Sequence, residues 1–333
     1  MLKNKNFSLM IIIALSFFLF LNFITLASEP VEIEWVSGSV GGGWYSMAAG
    51  IAELIKEFAP EITIKVLPGG GMANPIRVGS GEVMLGWGVN PFDYMSFNGI
   101  AEYKDSSPNL RAIGASFSDS AIHVVVDKDF PYNTVDDVIK NKMSIRIATE
   151  KYGSSDEFTF RKFLEYFGYT EDDVKKWGGE VFHTGYAEMT NMFKDRHVDM
   201  AFFNMGPPGS NVLEMAVSRH IKILQFSKEV VQYFADKYKY ESGEKALLKK
   251  EMYPNILEED VLNPGQAVEI TCNAELPDEV VYKITKIICE NTDRLAQIAV
   301  KMEVFKPSEG WKLVAVPLHP GAEKYYKEMG YMK

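Results

Sequence analysis

Apolar residues recur along the chain with two alternating rhythms. Short runs alternate every second residue, and longer ones repeat about every 3.6 residues. Val31–Val36 reads as a strand. Trp44–Phe58 reads as a helix with Met47, Ala48, Ile51, Leu54, Ile55 and Phe58 on one face. Further strands are expected at Ile62–Leu67, Val83–Gly88, Arg111–Phe117, Ile122–Val126 and Ser144–Thr149. Val181–Thr184, Val198–Phe203, Ile221–Phe226, Val268–Asn273 and Leu313–Leu318 complete the set. Helices are expected near Ala73–Val78, Thr134–Asn141, Asp156–Phe167 and Ala187–Arg196, from Pro207-Pro208 to about Arg219, over Asp278–Asn291, and at the C-terminus. Residues 227–262 read as helical and charged. Strand–helix alternation of this kind predicts an α/β fold, each lobe a mostly parallel sheet flanked by helices. No Pro/Ser-rich linker intervenes, so two lobes would share short crossovers rather than a tether.

Composition narrows the classes. The 333 residues are 47% hydrophobic, enough for the cores of two domains. Aromatic residues at 13% and ordinary Gly and Pro usage exclude a disordered or collagen-like chain. A net charge of -10 argues against a nucleic-acid partner, which calls for a basic face. The first residues carry Lys3 and Lys5, followed by the uncharged apolar run Leu9–Leu26 and the small-residue exit Thr25-Leu26-Ala27. That order describes a secretory signal over residues 1–27, expected to be cleaved after Ala27. The other reading is an uncleaved anchor, since the run is about long enough to span a bilayer. Ser28 and Glu29 follow at once without a basic stop-transfer cluster, which favours cleavage and a periplasmic or other extracytoplasmic location. Cys272 and Cys289 can either pair in such a compartment or remain as two buried thiols.

Three turns share one arrangement, in which a strand ends, a Gly/Ser turn follows and a helix begins: Ser37–Trp44, Pro68–Asn74 and Tyr152–Asp156. At such turns unpaired backbone N–H groups and the positive helix end can face a small anion. Each taken alone is also what an ordinary tight βα connection looks like. Together they favour a ligand at the carboxyl ends of the strands. Trp44 and Tyr45 open the first helix directly after three glycines, where a ring can close over a solute. Asn74, Asn90 and Asn204 each follow a strand or a Gly turn and can both donate and accept hydrogen bonds.

Sharper chemistry is missing. The glycines lack the G-x-G-x-x-G order, and there is no G-x-x-x-x-G-K-[ST], no G-x-S-x-G and no H-E-x-x-H. The five histidines are scattered without ligand spacing. No metal, cofactor or catalytic residue is therefore expected, and the protein reads as a non-enzyme. Arg77, Arg111, Arg146 and Arg161 are the arginines considered for an anion, with Arg77 first because it follows the second turn by a helical step.

Several segments resemble the TAXI-type solute-binding proteins of tripartite ATP-independent periplasmic (TRAP) transporters. They are Ser37-Gly-Ser-Val-Gly-Gly-Gly-Trp-Tyr45, Gly69-Gly-Gly-Met-Ala-Asn74-Pro-Ile-Arg77, Gly153-Ser-Ser155, Gly206-Pro207 and Val316-Pro-Leu-His-Pro-Gly-Ala322. The resemblance runs in order from about Glu32 to the C-terminus, and the closing segment is its most specific part. It implies a monomeric, two-lobed (type II) receptor that closes about a hinge on a small-molecule solute, a glutamate-like amino acid or dicarboxylate, and delivers it to an integral membrane permease. Lobe I would span 29–124 plus 224–333, with 125–223 inserted as lobe II. Ser39, Gly43, Trp44, Tyr45, Gly71, Asn74 and Asn90 would line the cleft from one lobe, and Ser154, Ser155, Tyr186 and Asn204 from the other. The chain also departs from the family pattern. Gly43-Trp44-Tyr45 stands where a small or hydroxyl residue before Tyr-Tyr is common, Ser154-Ser155-Asp156 where Ser-Gly-Thr is frequent, and Pro91-Phe92 where a polar pair is usual. An inward-facing Asp156 would disfavour a second negative charge on the ligand. A secreted enzyme and a ligand-sensing domain on the same frame are the alternatives.

Overall fold

The computed structural model describes residues 30–333, so the expected signal segment lies outside the described residues. The chain begins with β1 (Val31–Val36), α1 (Gly43–Phe58), β2 (Ile62–Leu67), α2 (Asn74–Gly79), β3 (Leu85–Val89) and α3 (Asn90–Asn98). The long strand β4 (Leu110–Asp127) follows. Next come α4 (Val135–Lys140), β5 (Arg146–Thr149), α5 (Ser155–Tyr166), α6 (Glu171–Lys176), β6 (Glu180–His183) and α7 (Tyr186–Lys194). β7 (Met200–Met205), α8 (Ser210–Ser218), β8 (Ile221–Leu224) and α9 (Lys228–Tyr238) continue the alternation. The chain closes with the short strands β9 (Leu247–Leu248) and β10 (Val261–Leu262), then β11 (Gly265–Asn273), α10 (Asp278–Glu290), α11 (Thr292–Ile298) and α12 (Pro320–Glu328).

Nine strands form one sheet in the order β2-β1-β3-β11-β4-β7-β5-β6, with β8 also paired to β4. Its wings are parallel, β1 with β3 on one side and β5 with β6 and β7 on the other. Its middle is antiparallel, because β11 runs against both β3 and β4, and β4 runs against β7 and β8. β4 thus serves both wings. Its first part pairs with β11 and its last part, from Ala121 onward, with β7. Between them the β11 register shifts, and Ser116 takes a left-handed φ of 63°. The two strands expected at Arg111–Phe117 and Ile122–Val126 are therefore one strand with an irregularity under its polar stretch. Ser118 and Ser120 in that stretch are buried rather than looped out.

Each wing has its own core. Val36, Val78, Val83, Leu110, Ala112 and Val316 pack together in the first. In the second, Val125, Met189, Phe193, Phe203 and Met215 pack with Leu248, Tyr253 and Ile256. The stretch 227–262 is helical mainly over α9, and the rest belongs to 3-10 turns and the β9–β10 pair. It packs on the second wing, where Tyr238 meets Phe158 edge to face and Leu248, Tyr253 and Ile256 join the second core. Three further expectations are corrected. Leu313–Leu318 makes only a single bridge, Ala112 with Leu318, because Pro317 has no N–H to continue a ladder. α8 starts at Ser210 with Gly209 as N-cap, after Pro207-Pro208 rather than on it. Phe58, the last residue of α1, is 53% exposed and leaves the helix's core stripe at Ile55.

Candidate functional site

The three glycine turns meet at one place, where the two wings face each other. Asn74, fully buried, ties the first two turns together. Its amide Nδ2 donates to Ser37 O (2.7 Å) and Trp87 O (2.8 Å), and its Oδ1 accepts from Gly70 N (2.9 Å). The third turn arrives from the other wing, with Gly153 at a left-handed φ of 87° that glycine adopts without strain. Two hydrogen bonds cross the gap. Ala73 N–H donates to Gly153 O (3.1 Å), and the Ser39 hydroxyl donates to Glu150 Oε2 (2.6 Å).

Between the turns lies a narrow cleft containing about 470 Å³ of non-atom space, open solvent included. Ser39, Gly43, Trp44 and Gly71 border it from one side, and Ser154, Ser155, Tyr186 and Asn204 from the other. Tyr45, Asn74 and Asn90 lie outside the lining. Tyr45 turns away from Trp44 by one helical step, and its hydroxyl reaches Val66 O at 3.5 Å. Asn90 accepts from Ala267 N (3.0 Å) and donates to Glu241 (3.3 Å), linking α3 to β11. None of the four arginines borders the cleft. Arg77 pairs with Glu82, Arg146 with Asp199 and Arg161 with Glu157, while Arg111 donates to Pro108 O and Leu110 O.

Several lining residues were not legible beforehand. Glu150 sits directly after β5, so an acid at a strand end before a Gly turn was an available signal. Met205 and Gly206 continue β7 past Asn204. Lys301 comes from a 3-10 turn at Val300–Val304, and nothing in its local sequence points to the cleft. Asp156, whose direction was left open, faces inward.

The charges are arranged unevenly. Asp156 Oδ1 accepts from Asn204 N (2.6 Å) and lies 2.7 Å from the Tyr186 hydroxyl, and its carboxyl pKa is raised to about 7 by burial and then by the nearby Glu150 charge. Tyr186 Oη is also 2.5 Å from Asn204 O, so one phenolic proton faces two acceptors. Burial raises Glu150 as well, offset by the Ser39 hydroxyl. Lys301 is drawn below the ordinary lysine value by burial. Elsewhere, burial lowers His123 to about 4, where it bonds Ala121 O and the Tyr253 hydroxyl. Cys272 and Cys289 are separate buried thiols. Among the described residues no cluster of three or more His, Cys, Asp or Glu is placed to hold a metal ion.

Residues 36–330 match the model of the NMT1-like family. The chain belongs to the NMT1-like family. Among solved structures, this NMT1-like protein is similar to MatC from Rhodopseudomonas palustris with bound malate. That match has a TM-score of 0.55 and 12% identity, covering 90% of this chain and 97% of the other. It is also similar to the periplasmic binding protein BugD, with a TM-score of 0.51 and 16% identity, covering 92% of this chain and 99% of that one. These likenesses show the fold, the two-lobed α/β architecture of periplasmic binding proteins. No helix among the described residues is long and apolar enough to cross a membrane.

Proposed function

We propose that this NMT1-like protein is an extracytoplasmic receptor for a small organic acid or amino acid, exported by the Leu9–Leu26 signal, and that it is not an enzyme. The observation that carries the reading is the convergence of three strand–turn–helix junctions, from both wings, on one cleft bridged at the turns by Ala73 N–H to Gly153 O and by Ser39 to Glu150. Such a cleft closes on a solute by favouring the closed form through its extra contacts. β4 and β11, the strands that pass between the wings, are where bending would be absorbed. In this reading lobe I is 29–124 plus the C-terminal part and lobe II begins at 125. The packing of α9 and the β9–β10 pair on the second core supports moving the second seam from 223 to about Pro264.

The sequence resemblance supports the TAXI subtype and a TRAP-type permease as the membrane partner, and the malate bound to MatC supports a carboxylate-bearing solute. The test is a thermal-shift panel of amino acids, mono- and dicarboxylates and sugars, run after unfolding and refolding to remove carried-over ligand. A solute at a hundred times its Kd adds about 2.7 kcal/mol of apparent stability. One chemical class raising the melting midpoint is expected, and uniform silence would count against a receptor for these solutes.

A further inference from the structure

Resting on that receptor reading, we infer that Lys301 holds the solute's anionic head, and that the cleft takes one carboxylate rather than two. The 3-10 turn carrying Lys301 is fixed from behind, since Met302 and Phe305 are buried and the Phe305 ring stacks on Phe117 of β4 with centroids 4.3 Å apart. From there the side chain reaches the cleft between two glycines, one from each wing. A Cβ on Gly206 would lie 2.7 Å from Lys301 Cδ, and one on Gly43 would lie 2.6 Å from its Nζ. The ammonium therefore occupies space that exists because neither residue has a side chain.

Gly43 is the first residue of α1, so the ammonium stands beside a helix end that has no side-chain cap and no acid in its first turn. Two positive features coincide there. Among the described residues Lys301 is in no ion pair, and its hydrogen-bond contact is Gly206 O at 3.4 Å. A partly desolvated ammonium without a counter-ion is unfavourable, and an anionic solute supplies the missing partner. Among the described residues no second basic side chain borders the cleft. The other ionisable groups at the cleft are the acids Glu150 and Asp156 and the phenol Tyr186, and no arginine borders it. A second carboxylate would meet those acids, whereas an ammonium, amide or hydroxyl would find acceptors.

The experiment is calorimetric titration, on protein produced from the full chain, of matched pairs that differ in a second carboxylate: L-lactate against L-malate, and L-glutamine against L-glutamate. At least one single-carboxylate member is expected to bind, and more tightly than its partner. Lys301→Met is expected to weaken that binding by about thirtyfold while leaving its carboxamide analogue (lactamide or glutaminamide) unchanged. Loss of discrimination between carboxylate and carboxamide is a readout that general misfolding does not produce, and an unchanged melting midpoint checks the fold. A Lys301→Met protein within threefold of the wild type, or tighter binding of L-malate or L-glutamate, would overturn the inference with the receptor reading intact. Silence of the wild-type protein toward all four solutes would count against the receptor reading and take this inference with it.

Discussion

Two helix ends face each other across the cleft, and they are made differently. α1 starts from Gly42 and Gly43 with no side-chain cap and no acid in its first turn. α5 starts from Ser154, whose hydroxyl accepts from Glu157 N at 3.1 Å, and carries Asp156 and Glu157 in its first turn. Both follow a strand and a glycine turn, so the backbone plan is the same. The first end leaves its N–H groups and positive potential open and adds Lys301. The second has its Glu157 N–H capped by Ser154, carries acids in its first turn and has Glu150 nearby. The contrast teaches that the turn motif marks where a ligand sits, while the side chains that fill or leave open each helix end set the charge the ligand meets.

The largest effect expected to test this contrast is pH dependence at the filled end. A carboxyl raised from 3.8 to about 7 in the folded state favours folding when protonated. That stability is fully present below about pH 4 and is lost as pH rises through about 7, a change on the order of 4 kcal/mol. Asp156→Asn removes this titration, and its amide Oδ1 can still accept from Asn204 N as the carboxylate does. Its stability relative to the wild type should therefore climb between pH 4 and 7 and level off above. Denaturant melts across that range would sink the idea if the two proteins tracked each other.

Next in size is the joint beneath the open end. Asn74→Ala removes the side-chain partner of Gly70 N, Ser37 O and Trp87 O and is expected to cost about 3 kcal/mol of unfolding free energy. A loss under 1 kcal/mol by urea titration would mean that the first two turns hold each other without it. Ser154→Ala removes the cap that distinguishes α5 from α1 and should cost about 1 kcal/mol. No change in the melting midpoint would show that the cap does not separate the two ends. The smallest effect is electrostatic. Glu150→Gln keeps an acceptor for Ser39 but removes the charge that helps raise Asp156, so the Asp156 titration followed by carboxyl NMR should move down in pH. An upward or absent shift would contradict the coupling.

Much of this was readable before any coordinates. The α1 stripe from Met47 to Ile55, the strands from β1 to β8 and the three turns follow from local periodicity and glycine placement. Readings failed where local pattern competes with tertiary packing. The serines at 116–120 look like a strand break, yet β11 pairs along that stretch and keeps β4 continuous with only an irregularity. Asn74 and Asn90 carry turn-type residues at turn positions, but their side chains are used by neighbouring backbone rather than the cleft. Lys301 stands more than two hundred residues from the first turn and is brought there by the Phe305–Phe117 stack.

By itself the sequence determined the α/β class and the three junctions, because these depend on hydrophobic period, backbone freedom at glycine and helix-end chemistry, all local properties of the chain. Only the tertiary structure decided which wing the 227–262 stretch packs on, which way Asp156 faces, and that a lone lysine enters between Gly43 and Gly206. Those features depend on contacts between segments far apart in the chain, and the balance of charge in the cleft depends on them in turn.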